Sequence, residues 1–337
     1  MENNNKSLSN EELQKVFAQL QGEGKNVRYV NLDDEVEFNC NRCGGCCTCR
    51  DDILVTPYDV YNLAVSLNKT GQEIVNEYLS VYIGHNSHLP VAVIADTPQH
   101  KCPFLEFDTT EMLYKCKVND RKPGPCRTHP FGIVRQMSNA TLESDEIRFI
   151  ATDFCNNHGN KKITVREYLG EEYLNSLDDR KVSYKLQSFV AKLLNLDKIY
   201  AIINADDSFE GFTDIEKENL SRLKLNTREL IGTTYVIPYL NAVYNFKPDV
   251  DFLSQCETGF KDLIKSSLYF RAMLASIGFD IQPKNMNDFE NIVASYLSEE
   301  ELNKILQELK ENIQMIEKEV EEKTQKLEEE NVNTSRD

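Results

Sequence analysis

The chain has 337 residues, 40% hydrophobic and 28% charged, with 14 Gly and 10 Pro; this is the composition of a globular protein, at a length that suggests two domains, and it excludes disordered and collagen-like classes. Lys and Arg number 38 against 55 Asp and Glu, a net charge of −17, which repels a phosphate backbone and excludes general nucleic-acid binding. No run approaches the roughly 18 apolar residues of a membrane span, and Met1–Lys6 lacks the apolar core of a signal peptide, so no membrane association and a cytoplasmic location are expected.

In chain order, residues 7–22 read as a short helix, with Ser9 and Glu12 spaced as a capping box. Val27–Val30 and Glu35–Phe38 are β-type runs around a turn-prone Asn31–Asp34, a pattern that predicts a hairpin leading to Cys40. Thr56-Pro57 starts a helix, because Thr caps and Pro suits the first helical position. Thr70 and Glu73 open a second helix. Val91–Ala95 reads as a strand, and Phe104–Glu106 with Met112–Val118 as a hairpin that sets Cys102 and Cys116 near its opposite ends. Pro123-Gly124-Pro125 is a turn that delivers Cys126, and strands at Ile133–Met137 and Ile147–Thr152 lead to Cys155. From the capping box Thr164/Glu167 the texture becomes helical, with a boundary expected near Asn156–Lys162. Leu302, Leu309 and Ile316 then alternate with Leu306, Ile313, Val320 and Leu327 at steps of four and three. This predicts a coiled-coil-like helix, with one helix folding back on its own domain as the equal alternative.

Ten cysteines are present, nine of them before residue 156. A reducing compartment does not keep a disulfide framework, and buried cysteines used as small hydrophobes would scatter, so the clustering points to metal. Cys40-x2-Cys43 is the spacing at which two thiolates converge on one ion, and Cys46 extends it to the first three ligands of a ferredoxin-type run. Cys46 and Cys47 are adjacent, and neighbouring side chains usually diverge. That favours a cluster or two nearby metals over one simple zinc site. His129 and His158 each follow a cysteine by three residues and read as groups surrounding the ligands rather than ligands themselves. Arg121 and Arg127 flank Cys126, where cations offset thiolate charge, although ordinary surface charge is as good a reading. His85, His88 and His100 read as solvated, Cys256 as a core residue, and Tyr235, Tyr239 and Tyr244 as an aromatic core stripe.

These residues also carry a family resemblance. Phe38-x-Cys40-x2-Cys43-x2-Cys46-Cys47, then Cys102-Pro103-Phe104-Leu105, Cys116, and Arg121-x-Pro123-x2-Cys126-Arg127-x2-Pro130 resemble the YkgJ-type CxxCxxCC cysteine-cluster family, regarded as zinc- or iron-chelating. The resemblance covers about residues 36–160 and implies eight ligands: Cys40, Cys43, Cys46, Cys47, Cys102, Cys116, Cys126 and Cys155. Cys49 is an extra thiol, and Lys122 interrupts the usual Arg-Pro step before Cys126. Some relatives are described as flagellin lysine-N-methylases, which implies an S-adenosylmethionine-dependent protein-lysine N-methyltransferase as a second reading. No catalytic base, cofactor loop or radical-type C-x3-C-x2-C spacing supports it in the sequence.

The expected architecture is an α+β cysteine-rich metal-binding domain at 25–160, a mainly α-helical domain at 161–297, and a charged coiled-coil-like helix at 298–331. The expected function is a binding or assembly module for an unidentified protein partner, holding an iron–sulfur cluster, slightly preferred, or zinc. The seam also predicts a weak, salt-sensitive homodimer through residues 300–328, opposed by the 12 Glu against 5 Lys between Glu299 and Glu330.

Overall fold

The structure is a computed structural model that describes residues 27–48, 52–137, 145–152, 155, 158–222, 231–312 and 314–315, with Lys15 and Ala18 before them. Most of the expected helix at 7–22 and the seam beyond 315 lie outside the described residues, as does Cys49. The chain forms two compact units, residues 1–188 with 243–257, and residues 189–242 with 258–337. The change of texture near Thr164 thus falls inside the first unit.

The first unit contains, in order, β1 (Val27–Val30), β2 (Glu35–Cys40), β3 (Leu54–Val55), α1 (Pro57–Leu67), α2 (Gly71–Tyr78), β4 (Leu79–Ile83), β5 (Pro90–Ile94), β6 (Leu105–Asp108), β7 (Leu113–Cys116), α3 (Gly124–Thr128), β8 (Gly132–Met137), β9 (Asp145–Thr152), β10 (His158–Thr164), α4 (Val165–Leu169), α5 (Glu171–Asn175) and α6 (Leu177–Ser188). The strands make four small antiparallel sheets, ordered β1-β9-β8, β10-β2, β3-β5-β4 and β6-β7. Local sequence explains the helix starts. Thr56, Thr70 and Thr164 each accept the backbone N–H three residues on, while Asp59, Glu73 and Glu167 return the contact, so all three capping boxes form.

The expected β1–β2 hairpin does not form. Asn31–Asp34 does turn, with the Asp34 N–H donating to the Asn31 carbonyl at 3.2 Å. The two strands nevertheless part company: β1 pairs with β9, from Val27 against Thr152 to Val30 against Phe149, and β2 pairs with β10. The reason lies in the core. Val30 and Val36 are buried with Phe131, Phe149, Val165 and Leu169, so each strand must lie beside a partner that feeds the same cluster.

The second unit is helical. It holds α7 (Leu196–Asn204), α8 (Asp214–Arg222), a π-turn at Gly232–Val236, the main part of the long helix α10 (Phe252–Ser276), and α11 (Met286–Tyr296). The helix α9 (Ile237–Tyr244), which precedes α10, ends within the first unit. Residues 299–312 form α12. It returns onto α10: Lys261 pairs with Glu301 at 3.0 Å and Lys265 with Glu308 at 3.3 Å. Ile305 is buried on that face while Leu306 is exposed. Tyr235, Tyr239, Tyr244 and Cys256 are all core residues. No described helix is long and apolar enough to cross a membrane.

Candidate metal centre

The cysteine loop is shaped by its glycines. After β2 ends at Cys40, Gly44 takes a left-handed conformation (φ 77°), and a 3-10 turn at Gly45–Cys47 follows, closed by the Cys47 N–H on the Gly44 carbonyl at 2.9 Å. A side chain at Gly44 would also stand 2.8 Å from the Tyr114 ring. Two backbone contacts clamp this loop to its neighbours. The Tyr114 N–H donates to the Arg42 carbonyl at 3.1 Å, and the Cys102 N–H donates to the Cys47 carbonyl at 2.8 Å.

In the β6–β7 hairpin Leu105 faces Cys116. Since Cys102 lies just before β6, Cys102 and Cys116 sit at the same open end, not near opposite ends as the run lengths suggest. The last thiol comes from α3. Pro123 and Pro125 bracket its start, and the Gly124 N–H donates to the buried Asp59 carboxylate at 2.8 Å.

These loops bring Cys46, Cys47, Cys102, Cys116 and Cys126 to one cavity of about 90 Å³. Ile53, Ile94, Phe104 and Val118 form its apolar wall, and Lys122 and His129 complete it, with no carboxylate in the lining. Cys40, Cys43 and Cys155 do not line it. Cys40 and Cys43 are exposed and Cys155 half-buried. Cys40 and Cys155, together with Cys46, lie close enough to Tyr168 to act on its hydroxyl. Burial first, and then these thiols, push that hydroxyl above its ordinary range, while Arg127 opposes them. Tyr168 in turn donates to the His129 carbonyl, which ties this second group of thiols to the cavity wall. His158 stands opposite Cys40 in the β2–β10 register. His85, His88 and His100 do not line the cavity, and His100 pairs with Asp96.

All eight thiols, and Cys256, are free of disulfides. The electrostatics of the cavity are those of crowded, protonated sulfurs. The Cys46 and Cys47 sulfurs are 3.8 Å apart, so the expected divergence of these neighbours does not occur. The hydrogen bond shared with Cys46 holds the Cys47 thiol far above its ordinary range, with burial and the nearby Cys102 and Cys126 adding to it. Burial likewise pushes up the thiols of Cys126, Cys102 and Cys116, and for Cys126 the neighbouring Cys102 and Cys116 push the same way. Lys122 works against the rise at Cys116. A cation among these four thiols would offset the burial and mutual repulsion that disfavour their thiolates.

That donor chemistry fits a thiophilic metal. Five soft sulfurs face one half-buried cavity, and no oxygen ligand competes. Among the described residues no group of three or more His, Cys, Asp or Glu is already arranged to hold an ion. Sequence reasoning did not find three supports of the site. Tyr168, Lys122 and the Asp59–Arg180 pair carry no spacing signal that links them to a cysteine.

The comparisons agree with this geometry. Residues 39–175 match the CxxCxxCC family model, described as a "Putative zinc- or iron-chelating domain". No curated protein and no solved structure matches the chain. The matched segment contains all eight cysteines from Cys40 to Cys155, and it is over residues 39–175 that this chain is similar to the CxxCxxCC family.

Proposed function

We propose that the protein is a metal-binding module whose metal is held at the thiol cavity, with Cys46, Cys47, Cys102, Cys116 and Cys126 as the inner donors and Cys40, Cys43 and Cys155 completing the set. The observation that carries this reading is the convergence of five thiols from three separate segments, the Gly45–Cys47 turn, the β6–β7 hairpin and α3, on one cavity. Zinc gains support from the 3.8 Å between the Cys46 and Cys47 sulfurs. With Zn–S bonds of about 2.3 Å, a tetrahedral site has sulfur–sulfur edges of about 3.8 Å. An iron–sulfur cluster gains support from the Cys40-x2-Cys43-x2-Cys46 run and from a cavity larger than a single ion needs. Whichever metal binds, it offsets the mutual repulsion of the thiolates and supplies folding energy to a unit made of four small sheets.

Anaerobic purification with elemental analysis and a visible spectrum tests this assignment. A colourless zinc protein selects the first metal and a brown iron- and sulfide-containing one the second. A folded protein that holds neither overturns the reading. The methylase alternative rests on the family resemblance, and calorimetry with S-adenosylmethionine decides it.

A further inference from the structure

The turn that carries Cys126 has a second face. On it lies a polar cleft of about 40 Å³, toward which Arg121, Lys122, Arg127 and Arg180 all converge. Two carboxylates, Asp120 and Glu172, also line it, so the lining charge is 4 − 2 = +2. Four cations in one small cleft are conspicuous in a chain of net charge −17.

The cations differ in what they already hold. Arg180 is 5% exposed, with Asp59 at 2.7 Å, and the rings of Tyr58 and Tyr173 lie 5.0 and 4.7 Å from its guanidinium carbon. It is a fixed positive wall. Arg127 donates to the Leu169 carbonyl at 3.0 and 2.7 Å through Nε and Nη2, which pins its fork in place. Arg121 is held by one contact, to the Asn62 side-chain oxygen at 3.1 Å. Among the described residues Arg121, Lys122 and Arg127 have no carboxylate partner. The Arg121 and Arg127 forks are thus oriented without being tied up in an ion pair, an arrangement suited to a planar or tetrahedral oxyanion.

Size selects the ligand further. One water needs about 10–15 Å³ on the same measure, so the cleft admits a group of three or four polar atoms. A phosphate group carries close to two negative charges near neutral pH, which suits a lining with more cations than carboxylates. We propose that this cleft binds a phosphate group between Arg121, Lys122 and Arg127, against the buried Arg180. Because Lys122 also lines the thiol cavity, bound phosphate and bound metal would share one cation through the residue 121–127 turn.

The test is isothermal titration of the full-length protein with inorganic phosphate, with acetate at matched ionic strength as the control and phosphoserine as a second arm. Saturable phosphate binding that acetate does not reproduce is expected. Tighter binding of phosphoserine identifies an ester as the source, and equal or weaker binding identifies free phosphate. Arg121→Gln should weaken phosphate at least about tenfold, the scale of one lost charge-assisted hydrogen bond. Glu172→Gln removes an opposing carboxylate and should tighten it several-fold. Should Arg121→Gln fail to fold, the direction of the Glu172→Gln effect decides alone, since disruption of the fold does not improve binding. Absence of saturable binding, an equal response to acetate, or no change in either variant overturns the proposal. Metal content measured on the same samples keeps this result separate from the fate of the thiol site.

Discussion

Asp59 and Gly124 lie 65 positions apart, yet the buried Asp59 carboxylate accepts the Gly124 N–H at 2.8 Å and so fixes the turn that presents Cys126. The same oxygen accepts from Arg180 at 2.7 Å, and both charged side chains are almost wholly buried. Removing one partner strands the other charge out of water. Asp59→Ala should therefore cost about 3–5 kcal/mol and reduce metal content, whereas Asp59→Asn, which keeps an acceptor for Gly124, should lose less of the metal. Urea unfolding together with elemental analysis of both variants checks this. Equal metal loss in the two would mean that charge, rather than the Gly124 contact, positions Cys126.

Gly44 should be intolerant of substitution while Gly45 is not. A side chain at Gly44 meets a left-handed backbone and the Tyr114 ring at 2.8 Å, but one at Gly45 meets only the Cys43 sulfur at an ordinary 3.5 Å. The backbone term alone is about 1–2 kcal/mol for Gly44→Ala. Thermal unfolding of the two alanine variants compares them, and a Gly45→Ala loss as large as that of Gly44→Ala would contradict the loop geometry.

The second unit should weaken in acid through a buried pair. Burial by itself raises the Glu216 carboxyl. Its contact with Lys198 at 2.7 Å and the backbone N–H groups of Thr213 and Asp280 outweigh that, so the group titrates below its ordinary value of 4.5. A carboxyl lowered by folding stabilises fully above its unfolded value and loses that contribution as pH falls through the folded one. Stability should thus decline below about pH 4.5, and Glu216→Gln should flatten that part of the profile. Urea midpoints followed from about pH 6 to about pH 3 give the comparison; superimposable slopes would exclude this pair as the cause.

The terminal helix offers a contrast between adjacent residues. Ile305 is 8% exposed and Leu306 is 45% exposed. Ile305→Ala should cost about 2–5 kcal/mol, and Leu306→Ala should stay within about 0.5 kcal/mol. A homodimer through residues 300–328, as the heptads suggest, would draw on Leu306 instead. Light scattering at moderate salt would then show Leu306→Ala, and a truncation at Leu297, shifting the chain to monomer; a monomeric parent removes the dimer.

What could be read from the sequence was local. Thr56, Thr70 and Thr164 specify their helix starts within four residues, and the spacing of Cys40, Cys43 and Cys46 carries the family resemblance without any tertiary information. What escaped was non-local. Asn31–Asp34 turns as its composition demands, but nothing near it says that Val27–Val30 must pair with residues near 150. The side-by-side placement of Cys102 and Cys116 depends on hairpin register, and that of Cys46 and Cys47 on one left-handed glycine. Asp59 meets Arg180 across 121 positions, a distance over which no spacing rule operates. The heptad pattern after Leu302 puts Leu306 in its seam, yet the face that α10 covers is centred on Ile305, because a period of four and three does not say which neighbour arrives.

The central claim is that the thiols at one cavity hold a metal. Elemental analysis of anaerobically purified protein, run beside Cys102→Ser/Cys126→Ser and Cys256→Ser, tests it most directly. Zinc or iron should accompany the parent chain and the Cys256→Ser variant and be lost from the double variant. A folded parent without metal, or a double variant that keeps its full complement, would contradict the account.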